Sequence, residues 1–126
     1  MIAVDTNIIS AMLRGEDCVL PNDELYIPYV VLAELMAGVS AGNNPRKNKP
    51  LLDSFLHDTN VTTSPGLTPE LLPFYTEIYG YLRAKGTPIS PNDLWIAAEC
   101  MYLSMSLLTR DNDFKSVPQI ILIEKD

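Results

Sequence analysis

Met1-Ile2-Ala3-Val4-Asp5-Thr6-Asn7-Ile8-Ile9-Ser10-Ala11-Met12-Leu13 is the stretch on which the fold turns. Met1 to Val4 is a short apolar run with β-branched residues, and Ile8, Ile9, Met12 and Leu13 follow at helical spacing, so a buried strand feeds directly into a helix. Asp5 is the only charged residue from Met1 to Leu13 and sits at the junction.

Strand and helix signals alternate along the rest of the chain. Leu25 to Ile27 reads as a second strand, with Pro28 at the first helical position and a nearly all-apolar helix over Tyr29 to Val39, ending near Gly38 or Gly42. That composition predicts burial on most faces. Asn43 to Lys49 reads as a polar, basic loop, Leu51 to Leu56 as a short helix and Val61 to Thr63 as a strand. Thr68 and Pro69 open a long helix as N-cap and N1, which stops at Gly86 with a possible kink at Pro73. Ser90-Pro91-Asn92-Asp93 repeats that opening before an apolar helix to Leu103. A strand over Leu107 to Thr109, a helical turn over Asn112 to Ser116 and a last strand over Gln119 to Ile123 complete the pattern. Such alternation implies an α/β fold with a mostly parallel sheet covered on both faces.

At 126 residues, with 47% hydrophobic and 20% charged residues, the chain fits one domain, 1–126. Cys18 and Cys100 form no metal-spaced or redox motif, which points to reduced thiols in cytoplasm. The N-terminus lacks the basic and apolar regions of a signal peptide, and no apolar run approaches the roughly 18 residues of a membrane span. A net charge of -7 argues against general electrostatic attraction to nucleic acid, unless bound cations help.

Three carboxylates stand alone in uncharged stretches. Besides Asp5, Glu34 is the only charge between Leu25 and Asn44, and Asp93 precedes no other until Glu99. Carboxylates are rarely buried unless paired, hydrogen-bonded or metal-bound. Asp5, Asp93 and Asp111 each have a local alternative as helix caps, Asp93 in a capping box behind Ser90. Glu34, mid-helix among Val30, Val31, Leu32, Leu35 and Met36, has none. In a parallel sheet, Asp5 and Asp111 follow strands while Glu34 and Asp93 lie near helix starts, so all four converge on the crevice at the strands' carboxyl ends. Close like charges require cations or raised pKa values, and oxygen ligands suit magnesium or manganese. The natural reaction is phosphodiester hydrolysis. His57 is the single histidine and reads as a surface residue, which leaves no histidine pair for a metal-free ribonuclease.

Four segments in order, Val4-Asp5-Thr6-Asn7, Val31 to Leu35 with Gly38, Asn92 to Ala98 and Leu108 to Phe114, resemble those of PIN-domain nucleases, particularly the VapC-like toxins of prokaryotic toxin–antitoxin pairs. The resemblance implies a PIN-like α/β/α sandwich, Mg2+ or Mn2+, and endonucleolytic cleavage of RNA by an acidic cluster of Asp5, Glu34, Asp93 and Asp111. It also implies support from Asn7 and Thr109, the latter equally readable as a strand-end residue, and an Asp113 that is supporting or merely solvated. Where relatives often carry a glycine, near Ser104 and Met105, this chain has none, and Gly42 to Thr68 matches little of the pattern. Arg46, Lys47 and Lys49 there read as a solvated cluster, with an RNA-backbone contact as the alternative. A sequestered toxin implies an antitoxin offering basic and apolar groups. Phe74, Tyr75, Ile78, Tyr79, Tyr81 and Leu82 exceed one core-facing stripe and suggest an interface for a homodimer or an antitoxin.

Rival readings are a PIN-like nuclease in RNA processing without an antitoxin, and a non-catalytic acidic domain holding a structural cation. A phosphorylated receiver-like domain fits poorly, because the adjacent acidic pair after the first strand and a lysine after a late strand are missing.

Overall fold

In the computed structural model, which describes residues 1–16 and 23–124, five parallel strands form one sheet flanked by helices. The order is β1 (Ile2–Val4), α1 (Thr6–Leu13), β2 (Leu25–Ile27), α2 (Tyr29–Ala41), α3 (Pro45–Leu56), β3 (Val61–Thr63), a 3-10 turn (Pro69–Leu71), α4 (Leu72–Lys85), α5 (Pro91–Leu103), β4 (Ser106–Thr109), a second 3-10 turn (Asn112–Ser116) and β5 (Leu122–Glu124). Cys18 lies outside the described residues; Cys100 is a buried free thiol.

The strands are arranged β3-β2-β1-β4-β5, with Ala3 beside Tyr26 on one side and Leu107 on the other. β2 is buried along its whole length and β4 nearly so, which requires cover on both faces of the sheet. Edge strand β3 carries the exposed Thr62 and Thr63. The core gathers Ile8 and Ile9 of α1, Val31 and Leu35 of α2, Ile78 and Leu82 of α4, and Ile96 and Ala97 of α5 around the strands.

Several elements depart from the pattern read in one dimension. Of the stretch 43–49, only Asn43 and Asn44 are loop, and 45–49 is helix. Asn44 caps α3 by accepting from Lys47 N at 3.3 Å, Pro45 starts it, and the helix runs through Pro50 to bury Leu52. Arg46, Lys47 and Lys49 therefore lie on a helix. Pro28 occupies the cap of α2 and offers no side-chain hydrogen bond. α2 is not buried on most faces: Tyr29, Ala33, Met36, Ala37 and Gly38 are exposed, Met36 by 58%. Thr68 leads into a 3-10 turn, and α4 begins only at Leu72, so Pro73 falls in its first turn and interrupts nothing. The last strand starts three residues later than Gln119, at Leu122. Ser104 closes α5 with φ 54°, the left-handed conformation that favours glycine at this position.

Candidate active site

Asp5 directly follows β1 and Asp111 lies just past β4. These strands are neighbours, Val4 beside Leu108, and strand order reverses between them, since β1 leads outward to β2 and β3 while β4 leads to β5. The reversal opens a crevice at the carboxyl ends of the strands, where open parallel sheets bind ligands.

Asp5 is 5% exposed and both its oxygens are engaged. Oδ1 accepts from Thr6 N at 2.7 Å, which is the helix cap; Oδ2 accepts from Thr109 Oγ1 at 2.6 Å and Asn7 Nδ2 at 3.2 Å. The Thr109 hydroxyl oxygen in turn accepts from Asp111 N at 2.9 Å, and Asn7 Oδ1 accepts from Arg110 N at 3.2 Å. Asn7 and Thr109 thus tie the ends of β1 and β4 together and orient the acids there. Burial pushes the Asp5 carboxyl up, the bonds from Thr109 and Thr6 oppose this, and the charges of Glu34 and Asp111 add to it.

Glu34, in the second turn of α2, is held from two helices. Oε1 accepts from Thr6 Oγ1 at 2.6 Å and Oε2 from Asn92 Nδ2 at 3.3 Å. Asp93 and Asp111 both take part in capping: Ser90 Oγ accepts from Asp93 N at 3.2 Å, and Asp111 Oδ1 accepts from Asp113 N at 2.9 Å. Capping does not exhaust either carboxylate. Desolvation, then the charges of Asp5 and Asp111, pushes the Asp93 carboxyl up to about 6. Oxygens of Asp93, Asp111 and Asp113 lie within 4.8 Å of one another, close enough to share a cation. Asp113, which reads in sequence as supporting or solvated, joins this group, while Asp5 and Glu34 act on Asp93 through their charges.

This donor set is made of carboxylate oxygens, which suits hard cations such as magnesium or manganese and suits zinc poorly. His57 stands apart as the exposed C-cap of α3, its Nδ1 2.7 Å from Asp53 O. A groove of about 350 Å3 extends from Glu34 past Ser10, Leu13, Gly38, Asn44 and Asn48.

Sequence reading passes over Thr6, Asn92 and Glu99. Thr6 and Asn92 adjoin Asp5 and Asp93 in sequence, but only the fold shows that both donate to Glu34. Glu99 carries the same signal as Asp5, a lone acid in an apolar run, and is 3% exposed.

A parallel sheet in this order with carboxylates at its reversal point is the doubly wound arrangement expected of a PIN domain, and the PIN-domain family model matches residues 2–120: the chain belongs to that family. It is similar to Ribonuclease VapC2 of Rickettsia felis, 32% identical over 94% of this chain and 93% of that protein, and to Toxin FitB of Neisseria gonorrhoeae, 31% identical over 88% of each. The fold matches the crystal structure of VapBC2 from Rickettsia felis bound to a DNA fragment from their promoter, with a TM-score of 0.86 and 29% identity over the full length of both chains.

Proposed function

We propose that this chain is a metal-dependent endoribonuclease, the toxin of a toxin–antitoxin pair, that hydrolyses RNA phosphodiester bonds at Asp5, Glu34, Asp93 and Asp111. The observation that carries the reading is the convergence of acids from separate elements at the β1–β4 reversal, where oxygens of Asp93, Asp111 and the neighbouring Asp113 lie within 4.8 Å of one another. The ribonuclease and toxin names of its relatives support the same activity.

Asp93, Asp111 and Asp113, with Asp5 and Glu34 beside them, would hold Mg2+ or Mn2+, which supplies an acidified water and neutralises charge developing on a phosphate. The chain's own groups set up that chemistry. Thr109 and Asn7 fix the rotamer of Asp5, Thr6 and Asn92 fix Glu34, and the Ser90 cap fixes the first turn of α5 that carries Asp93. The groove beyond Glu34, where Asn43, Asn44 and Asn48 stand with Arg14, offers an RNA strand amide donors and one cation on a path out of an otherwise acidic pocket.

The chain acts as one domain over 1–126, in the cytoplasm, and no helix among the described residues is long and apolar enough to cross a membrane. Its partner is an antitoxin whose basic and apolar groups meet the carboxylates and the exposed apolar surface. That surface includes Tyr29 and Met36 on α2 and Tyr79 and Tyr81 on α4, enough to serve a homodimer contact as well. The likeness to the VapBC2 complex of Rickettsia felis favours this over a nuclease without an antitoxin.

The test is purified protein incubated with a panel of RNAs and Mg2+ or Mn2+, beside Asp93→Asn. Metal-dependent internal cleavage that the variant lacks is expected. Metal binding with no hydrolysis of any RNA would instead establish the non-catalytic domain, and cleavage without growth arrest on expression would remove the toxin assignment.

A further inference from the structure

Glu99 lies in the second half of α5 within the buried run Ile96 to Cys100, itself 3% exposed. A carboxylate there is costly to bury unless its oxygens are hydrogen-bonded. Both oxygens are engaged. Oε1 accepts from the backbone N–H of Tyr29 at 3.1 Å, and Oε2 accepts a short hydrogen bond from the Tyr26 hydroxyl.

Tyr29 is the first residue of α2, and Pro28 before it supplies no side-chain cap. Glu99 therefore provides, from another helix, the acceptor that the start of α2 lacks, and its charge faces the positive end of that helix. Tyr26 belongs to β2, which feeds α2, so the one carboxylate grips both sides of the β2–α2 corner.

A second polar contact joins the same two helices, from Asn92 Nδ2 to Glu34 Oε2. Glu99 follows Asn92 along α5, whereas Tyr29 precedes Glu34 along α2, so the helices run in opposite directions with a polar pin at each end of their contact. Any slide or roll of α2 against α5 breaks both pins and moves Glu34 relative to Asp93.

We propose that Glu99 is a positioning residue for the carboxylate pocket: by pinning the start of α2 to α5, it sets the register in which Glu34 meets the first turn of α5. This rests on the reading of the pocket as a metal-dependent nuclease site. Glu99 touches neither substrate nor metal; it acts through Glu34.

The experiment compares the full-length chain with Glu99→Met, Glu99→Gln and Tyr26→Phe. It measures Mn2+ affinity by calorimetry, the melting midpoint, and kcat and KM on whichever RNA of the panel is cut fastest. Glu99→Met, which leaves the Tyr26 hydroxyl and the Tyr29 N–H without this acceptor, is expected to melt below the wild-type midpoint and, assayed well below that midpoint where it is folded, to bind Mn2+ at least about tenfold more weakly, with kcat reduced and KM within about twofold. Glu99→Gln, whose carbonyl oxygen still accepts from Tyr29, is expected to recover affinity to within about threefold of wild type. Wild-type Mn2+ affinity in Glu99→Met overturns the proposal whatever its activity. Should Glu99→Met not fold, Tyr26→Phe decides: it leaves the Tyr29 bond and is expected to weaken Mn2+ binding by about twofold to fivefold, and unchanged affinity there overturns the proposal. A wild-type chain that binds no Mn2+ overturns the metal-site reading and this proposal with it, whereas wild-type binding beside unaffected variants overturns this proposal alone.

Discussion

The Thr109 hydroxyl donates to Asp5 Oδ2 across 2.6 Å, joining the carboxyl ends of two neighbouring strands, and its oxygen accepts from Asp111 N at 2.9 Å. One side chain thus orients two acids of the pocket. Thr109→Val would leave a buried carboxylate oxygen short of its closest donor, and is expected to cost about 1–3 kcal/mol of stability, with Thr109→Ser close to wild type. Chemical denaturation checks this, and a valine variant as stable as wild type would contradict it.

Asp93→Asn keeps its backbone bond to Ser90 and removes one charge, so RNA cleavage should fall by at least about a hundredfold with the circular-dichroism spectrum unchanged. Asp5→Asn should lose cleavage equally but also some stability, because its new amide donor faces the donating Thr109 hydroxyl. Substantial cleavage in both variants would remove these residues from the site.

Without metal, the Asp93 carboxyl is pushed up to about 6 from the ordinary 3.8, so the folded chain binds that proton more tightly than the unfolded chain. The resulting stability is full below the ordinary value and is lost as pH rises through about 6; Asp5, also raised, acts in the same direction. Melting in chelator should therefore show Asp93→Asn more stable than wild type at about pH 7.5 by about 1 kcal/mol, after screening of a partly exposed group, and no more stable at about pH 4. A difference independent of pH would refute the assignment to this carboxyl.

Glu34→Gln retains an oxygen for the Thr6 hydroxyl, and a turn of the Asn92 amide restores the second bond, while repulsion from Asp5 and Asp93 is relieved. Stability in chelator should stay within about 0.5 kcal/mol of wild type or rise. A clear drop in midpoint would show that the charge of Glu34 itself holds the fold.

Mg2+ and Mn2+ should each stabilise the chain, by about 2.7 kcal/mol when free metal exceeds its dissociation constant a hundredfold, whereas Zn2+ should do so poorly for want of histidine or cysteine ligands. Neutralising Asp93 and Asp111 together should abolish the effect, and Asp113→Ala should weaken it less. Scanning calorimetry with each metal reads this directly; no shift from either Mg2+ or Mn2+ would leave the nuclease reading without physical support.

What the sequence determined alone is what local pattern and local chemistry encode. The bounds of β2 and β3, the strand-to-helix junction at Asp5, the left edge of α5 at Ser90 and the stop of α4 at Gly86 follow from periodicity, capping residues and glycine, all read within a few positions. The isolation of Asp5, Glu34 and Asp93 is equally one-dimensional, because an acid in an apolar run is costly to bury wherever the run folds. Tertiary structure decided the rest. Whether 45–49 joins α3 depends on Leu52 finding a place in the core, and the exposed face of α2 depends on which neighbours cover so uniformly apolar a helix. Asp113 becomes a neighbour of Asp93, Thr6 and Asn92 become the donors that hold Glu34, and Glu99 becomes the cap of a helix 70 residues away, only through hydrogen bonds and charge contacts between distant elements. Such contacts depend on direction and on distances of a few ångströms, which spacing along a chain does not specify until the sheet has brought those elements side by side.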